Sequence, residues 1–113
     1  MPETSSGSVR VTFPTRNRDQ IIAHLQKHLP NLEHEVPLRR VALFGSWATG
    51  RATAFSDVDV LIVYEGPPRD DVFRRAWYLL DLRGLELHVY TEAEAADLAP
   101  TIERMTRSGV ELL

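Results

Sequence analysis

The run of residues 57–64, Asp-Val-Asp-Val-Leu-Ile-Val-Tyr, constrains the fold of this chain more than any other. Its β-branched content and length predict a strand. The second half is apolar at every position, so both faces of that strand must be covered, which calls for a sheet with helices on each side. The first half alternates aspartate with valine. Residues i and i+2 of a strand project the same way about 6.5 to 7 Å apart, so Asp57 and Asp59 present two carboxylates to one spot at the mouth of an otherwise buried strand. Two like charges at the rim of an apolar core repel each other and lose hydration, and no Lys or Arg lies within two residues of the pair to compensate. A divalent cation does so, and all-oxygen ligation favours magnesium or manganese over zinc.

The remaining elements follow from periodicity. Residues 18–29 carry Ile21, Ile22, Leu25 and Leu29 at helical spacing, with Pro30 expected to end the helix. His24 and His28, one turn apart on it, read as solvated residues rather than metal ligands. Residues 39–44 read as a strand broken by Gly45 and Ser46, and residues 46–50 as one or two helical turns. Residues 70–82 form an amphipathic helix closed by Gly84, with Trp77, like Trp47, expected in the packing. In residues 85–90 apolar and polar residues alternate strictly: Leu85, Leu87 and Val89 share one face, and Glu86, His88 and Tyr90 the other. Thr91 and Glu94 fit a capping box, Pro100 suits the first turn of a further helix, and residues 110–113 suit a short edge strand. Helices alternate with strands, so the fold class is α/β.

The chain has 113 residues, 43% hydrophobic and 26% charged, which fits one globular domain over residues 16–113 behind a polar, disordered tail over residues 1–15. With no cysteine, disulfides, thiolate nucleophiles and thiolate metal sites are excluded. No apolar run is longer than the five residues 60–64, far short of a membrane span, and the polar start is unlike a signal sequence, so a cytoplasmic protein without a membrane role is expected. Thirteen basic against 16 acidic side chains, a net charge of -3, argue against a grip on nucleic acid.

Gly45 and Ser46 supply a complement to the aspartates. If a helix starts there, its free backbone N–H groups and the Ser46 hydroxyl form a seat for phosphate, which the backbone can approach closely at Gly45. A cation site beside a phosphate seat points to nucleotide chemistry. Ten residues separate Ser46 from Asp57. A Gly-Ser followed at one fixed distance by Asp-x-Asp arises by chance in roughly one chain per thousand of this length.

The stretch LFGSWATGRATAFSDVDVLIV resembles the signature of the minimal nucleotidyltransferases, the smallest members of the DNA polymerase β-like superfamily: Gly-Ser, ten residues, then Asp-x-Asp. The resemblance runs from about Leu38 to the end of the chain. It implies a polymerase β-like core, a small mixed sheet packed against helices. It also implies that Gly45 and Ser46, with Arg51 nearby, hold the triphosphate of ATP, that Asp57 and Asp59 bind Mg2+ or Mn2+, and that a third carboxylate on a neighbouring strand completes the catalytic set. That carboxylate is usually Asp; here Glu86 is the first candidate and Asp81 the second. The family's loop after Gly-Ser usually carries arginines where this chain has Trp47 and Thr49.

Members of this kind pair with a helical HEPN-domain protein in toxin–antitoxin modules, and the resemblance implies transfer of AMP from ATP to a tyrosine of that toxin. A chain this small leaves the acceptor to be held largely by a partner. Two further readings stand beside this one: an antitoxin that neutralises its partner by binding alone, and a homo-oligomer acting on a small molecule in a pocket between subunits.

Overall fold

In a computed structural model, which describes residues 17–113, the apolar run becomes strand β2 (Val58–Tyr64), an inner strand of a four-stranded sheet. The tail expected over residues 1–15 lies outside the described residues. Antiparallel to β2 runs β1 (Leu38–Phe44), and parallel to it on the other side runs β3 (Leu85–Thr91). The short β4 (Val110–Glu111) pairs antiparallel with the outer side of β1, where the edge strand was expected. The sheet is thus mixed, in the order β3-β2-β1-β4. Joining the parallel strands takes a crossover, and α3 (Val72–Leu80) supplies it.

Alternation along β2 decides which layer each side chain meets. Val58, Val60, Ile62 and Tyr64 are buried against one face, with Ile21, Leu25, Leu29 and Leu32 of α1 (Arg18–Glu33) and Val72, Ala76 and Leu80 of α3. Leu61 and Val63 point to the opposite face, where Ala42 and Phe44 of β1 meet Ile102 of α5 (Ala99–Thr106), with Ala95 of α4 (Glu92–Asp97) packed alongside. Each such buried aliphatic side chain contributes roughly 1.5–3 kcal/mol, and the strand is covered on both faces as its composition requires. The capping box at Thr91 and Glu94 is present, and Pro100 lies in the first turn of α5. Among the described residues no helix is long and apolar enough to cross a membrane.

Three expectations are corrected. Helix α1 does not end at Pro30 but continues to Glu33. Proline inside a helix costs about 3 kcal/mol, but Leu29 and Leu32 on either side of it, and Val36 just beyond, are all buried, and their burial more than offsets that loss. His24 is not a solvated bystander: its Nε2 lies 2.9 Å from the carbonyl oxygens of both Leu80 and Asp81, closing the C-terminal end of α3 from the neighbouring helix. Trp77 is half exposed on α3 with Phe73 and Tyr78, whereas Trp47 is buried as expected.

A charged knot fixes the segment between β2 and α3. Asp71 accepts hydrogen bonds from Arg69 at 2.9 Å and from Arg75 at 2.6 Å, and Arg75 also pairs with Glu35 beyond the end of α1. These two arginines, Arg69 first, hold the Asp71 carboxyl well below the usual carboxylate range.

Candidate active site

Strand β1 ends at Phe44, and the chain turns at Gly45 with φ 75° and ψ -152°, a conformation essentially restricted to glycine. A single helical turn, α2 (Ser46–Thr49), follows and closes at Gly50. Trp47 on that turn is buried, and its Nε1 donates to the carbonyl of Ser56 at 3.4 Å, tying the turn to the residue before Asp57. Arg51 is exposed just past the turn, with its amide bonded to the Ser46 carbonyl at 3.0 Å.

Asp57 precedes β2 by one residue, so only Asp59 lies within the strand. The amide of Val58 between them donates to Gly84 at 2.8 Å, which pins this end of β2 to the turn leading into β3. Register then does what sequence spacing could not: Asp59 pairs with Phe44 on one side and with Glu86 on the other. Gly45 therefore sits directly beside Asp59. A Cβ on Gly45 would collide with Oδ2 of Asp59 and lie 3.2 Å from its Cγ, so glycine is the residue that leaves room for this carboxylate.

The structure brings Asp57, Asp59 and Glu86 into one electrostatic cluster. The Glu86 carboxyl is pushed above its ordinary value, first by sharing a proton with Asp57 and then by the charges of Asp57 and Asp59. The Asp59 carboxyl is also raised, chiefly by burial, with His88 drawing it back down. Asp81 is placed elsewhere: it takes a left-handed conformation (φ 48°) at the end of α3 and borders a groove with His28, Trp77 and Tyr78.

Sequence reasoning set His88 on the face of Glu86 without making it a metal ligand. In the fold it stands opposite Leu61 on the register, with its Nε2 3.7 Å from Oδ1 of Asp59. One ligand atom from each of Asp59, Glu86 and His88 lies within 4.8 Å of the others. The alternation of residues 85–90 was the available signal, but the register of β3 against β2 that makes it count was not in the sequence. Three crowded carboxylates and an imidazole suit a divalent cation, whose charge reverses the repulsion that raises Asp59 and Glu86.

The family model for the nucleotidyltransferase domain matches residues 25–109. Over 64 residues the chain is 36% identical to the candidate protein adenylyltransferase MJ0128 of Methanocaldococcus jannaschii, a match covering 56% of this chain and 65% of that protein, just under two thirds of its length. It is 30% identical over 71 residues to a second candidate protein adenylyltransferase of the same organism, MJ1379, covering 60% of this chain and 71% of that one. Among solved structures the fold is similar to a candidate nucleotidyltransferase from Sulfolobus solfataricus, with a TM-score of 0.57 at 21% identity over 83% of this chain and 80% of that one. It is also similar to a chain in a mutant of the MntA–HpeT toxin–antitoxin pair, with a TM-score of 0.50 at 17% identity over 87% of this chain and 73% of that one. At these identities the two structures bear on the fold alone.

Proposed function

The chain belongs to the nucleotidyltransferase domain family, and on that premise we propose that it transfers AMP from ATP to a hydroxyl of a partner protein, a tyrosine of a HEPN-domain toxin. The observation that carries this reading is the register of Asp59 against Glu86 beside the Gly45 turn.

In this reading Gly45 and the Ser46 hydroxyl seat the triphosphate, with Arg51 at the outer end of the turn. Asp57, Asp59 and Glu86 hold the divalent metal, Mg2+ or Mn2+. The residues fit such an ion on two counts: a buried His88 Nε2 without a hydrogen bond stands beside Asp59, and Gly45 leaves open the space that Oδ2 of Asp59 occupies. When bound, the metal supplies positive charge that stabilises the phosphate oxygens and the acceptor oxygen. Glu86, directly beside Asp59 in the register, takes the proton from the acceptor hydroxyl at its carboxylate oxygen. The acceptor oxygen then bonds to the α-phosphorus, the bond from that phosphorus to the bridging oxygen breaks, and pyrophosphate leaves. Residues 16–113 act as one transferase domain in the cytoplasm.

The test incubates the chain with α-labelled ATP, Mg2+ and a HEPN-domain partner. Label is expected on a partner tyrosine and absent when the Asp57→Asn, Asp59→Asn double variant replaces the wild type. Full activity of that variant, or no label with the wild type, overturns the reading.

A second reading, neutralisation of the partner by contact alone, is favoured by the exposed Phe73, Trp77 and Tyr78 on α3. It predicts that the double variant still binds and neutralises the partner, and that ATP affinity is indifferent to Mg2+.

A further inference from the structure

His88 gives the acidic cluster something that its carboxylates lack, a nitrogen with no partner. Its Nε2 is shielded from solvent and makes no hydrogen bond, and at 3.7 Å from Oδ1 of Asp59 it is too far for one there. The ring is held in place: Phe44, itself buried, packs edge-on against it with centroids 4.9 Å apart at 62°. Phe44 is also the residue before the Gly45 turn and the register partner of Asp59, so one aromatic contact fixes the imidazole relative to both halves of the site.

The distances suit a single ion. Ligand atoms held at about 2.1 Å from a cation stand about 3.0 Å apart when adjacent and about 4.2 Å apart when opposite. The ligand atoms of Asp59, Glu86 and His88 lie within 4.8 Å of one another, so modest side-chain rotation closes them on one centre. Such a set is not the all-oxygen one that the aspartates alone suggest. Mg2+ keeps its water and prefers oxygen, whereas first-row transition cations gain from an imidazole.

We propose that His88 is a nitrogen ligand of the divalent-metal site and that it makes the site select Mn2+ over Mg2+. The inference rests on the reading that Asp59 and Glu86 hold a cation. In its ligating form the imidazole is neutral, with the proton on Nδ1 and the Nε2 lone pair turned to the metal.

The test is spectroscopic and uses the whole chain without nucleotide, so that no adenine nitrogen intrudes. Binding of Mn2+ is followed by loss of the electron paramagnetic resonance signal of the aqueous ion, with Mg2+ as competitor, and the bound ion is probed for electron spin echo modulation by nitrogen-14. Wild type is expected to bind Mn2+ at least tenfold more tightly than Mg2+ and to show imidazole nitrogen coupling. His88→Ala should lose that coupling and tenfold or more of its Mn2+ affinity, with its Mg2+ affinity changed less than twofold.

Bound Mn2+ without nitrogen coupling in the wild type, or equal loss of both metals in His88→Ala, overturns the proposal. The wild-type spectrum decides the matter even if the variant folds poorly. Asp59→Asn separates the two levels of inference. If it abolishes Mn2+ binding while wild type shows no nitrogen coupling, His88 is excluded and the carboxylate site stands. If Mn2+ binding is indifferent to Asp59, the underlying reading falls as well.

Discussion

Oδ2 of Asp59 rests where a Cβ on Gly45 would have to be, so the backbone turn that ends β1 and the carboxylate that opens β2 share one volume. Two segments separated by the whole of α2 and its following loop are thereby locked into a single site. Gly45→Ala meets two penalties at once, the collision and a backbone conformation that alanine rarely adopts. The variant is expected to lose about 1–3 kcal/mol in urea unfolding. The proposed AMP transfer should fall about a hundredfold, because displacing a reacting group by about 1 Å has that effect. Wild-type transfer by the alanine variant would show that the contact is incidental.

The acidic cluster costs the metal-free chain stability. Asp59 and Glu86 titrate higher in the folded chain than in the unfolded one, so their contribution to stability is present below the ordinary carboxylate range and is lost as pH rises through their folded values. At neutral pH the ionised, metal-free cluster is therefore a net cost. Asp59→Asn should raise the Tm of the metal-free protein while reducing the proposed AMP transfer. Thermal melts in chelator, with and without the substitution, check the sign, and a lower Tm in the variant contradicts it.

The opposite sign holds at Asp71. Its carboxyl is depressed by Arg69 and Arg75, so its contribution is present above the ordinary carboxylate range and disappears as pH falls through the folded value. Asp71→Asn is expected to lower Tm by a few degrees at neutral pH, and the gap to wild type should narrow in acid. A gap that stays constant across the acid range speaks against the assignment.

Trp47 anchors the one-turn helix. It is 4% exposed and bonded to the Ser56 carbonyl, so Trp47→Ala removes core volume at the point where α2 meets the loop leading to Asp57. A loss of about 3–5 kcal/mol in denaturant unfolding is expected. Trp47→Phe keeps most of the volume and should lose less; equal losses in the two variants would mean that burial of the ring is not what matters.

His24 closes α3 from outside that helix. His24→Ala leaves the carbonyls of Leu80 and Asp81 without their shared partner and should cost about 0.5–1.5 kcal/mol. Amide hydrogen exchange should rise in the last turn of α3 and not in α5; an unchanged pattern would show that the contact carries no energy.

Features that depend on neighbours along the chain are legible without a structure. Two-residue alternation marked Asp57 and Asp59 as a pair, put Glu86 and His88 on one face of a later strand, and marked residues 60–64 as covered on both sides. The capping box at Thr91 and the break at Gly45 were legible for the same reason, since each is written in four residues or fewer. Strand ends were missed by one or two residues, and a helix was stopped too early at Pro30, because burial of Leu32 is a tertiary gain that no local rule contains.

Long-range packing fixes the register that sets Asp59 opposite Glu86, turns Asp81 away at the end of α3, and lets Phe44 hold His88 with its Nε2 free of hydrogen bonds beside the acids. It also decided that Trp77 stays at the surface while Trp47 is enclosed. The physical reason is the same throughout. Period and turn chemistry are fixed by bonds and dihedrals within a few residues, whereas register and the contacts between helices follow from how layers distant in sequence fill one another's surfaces.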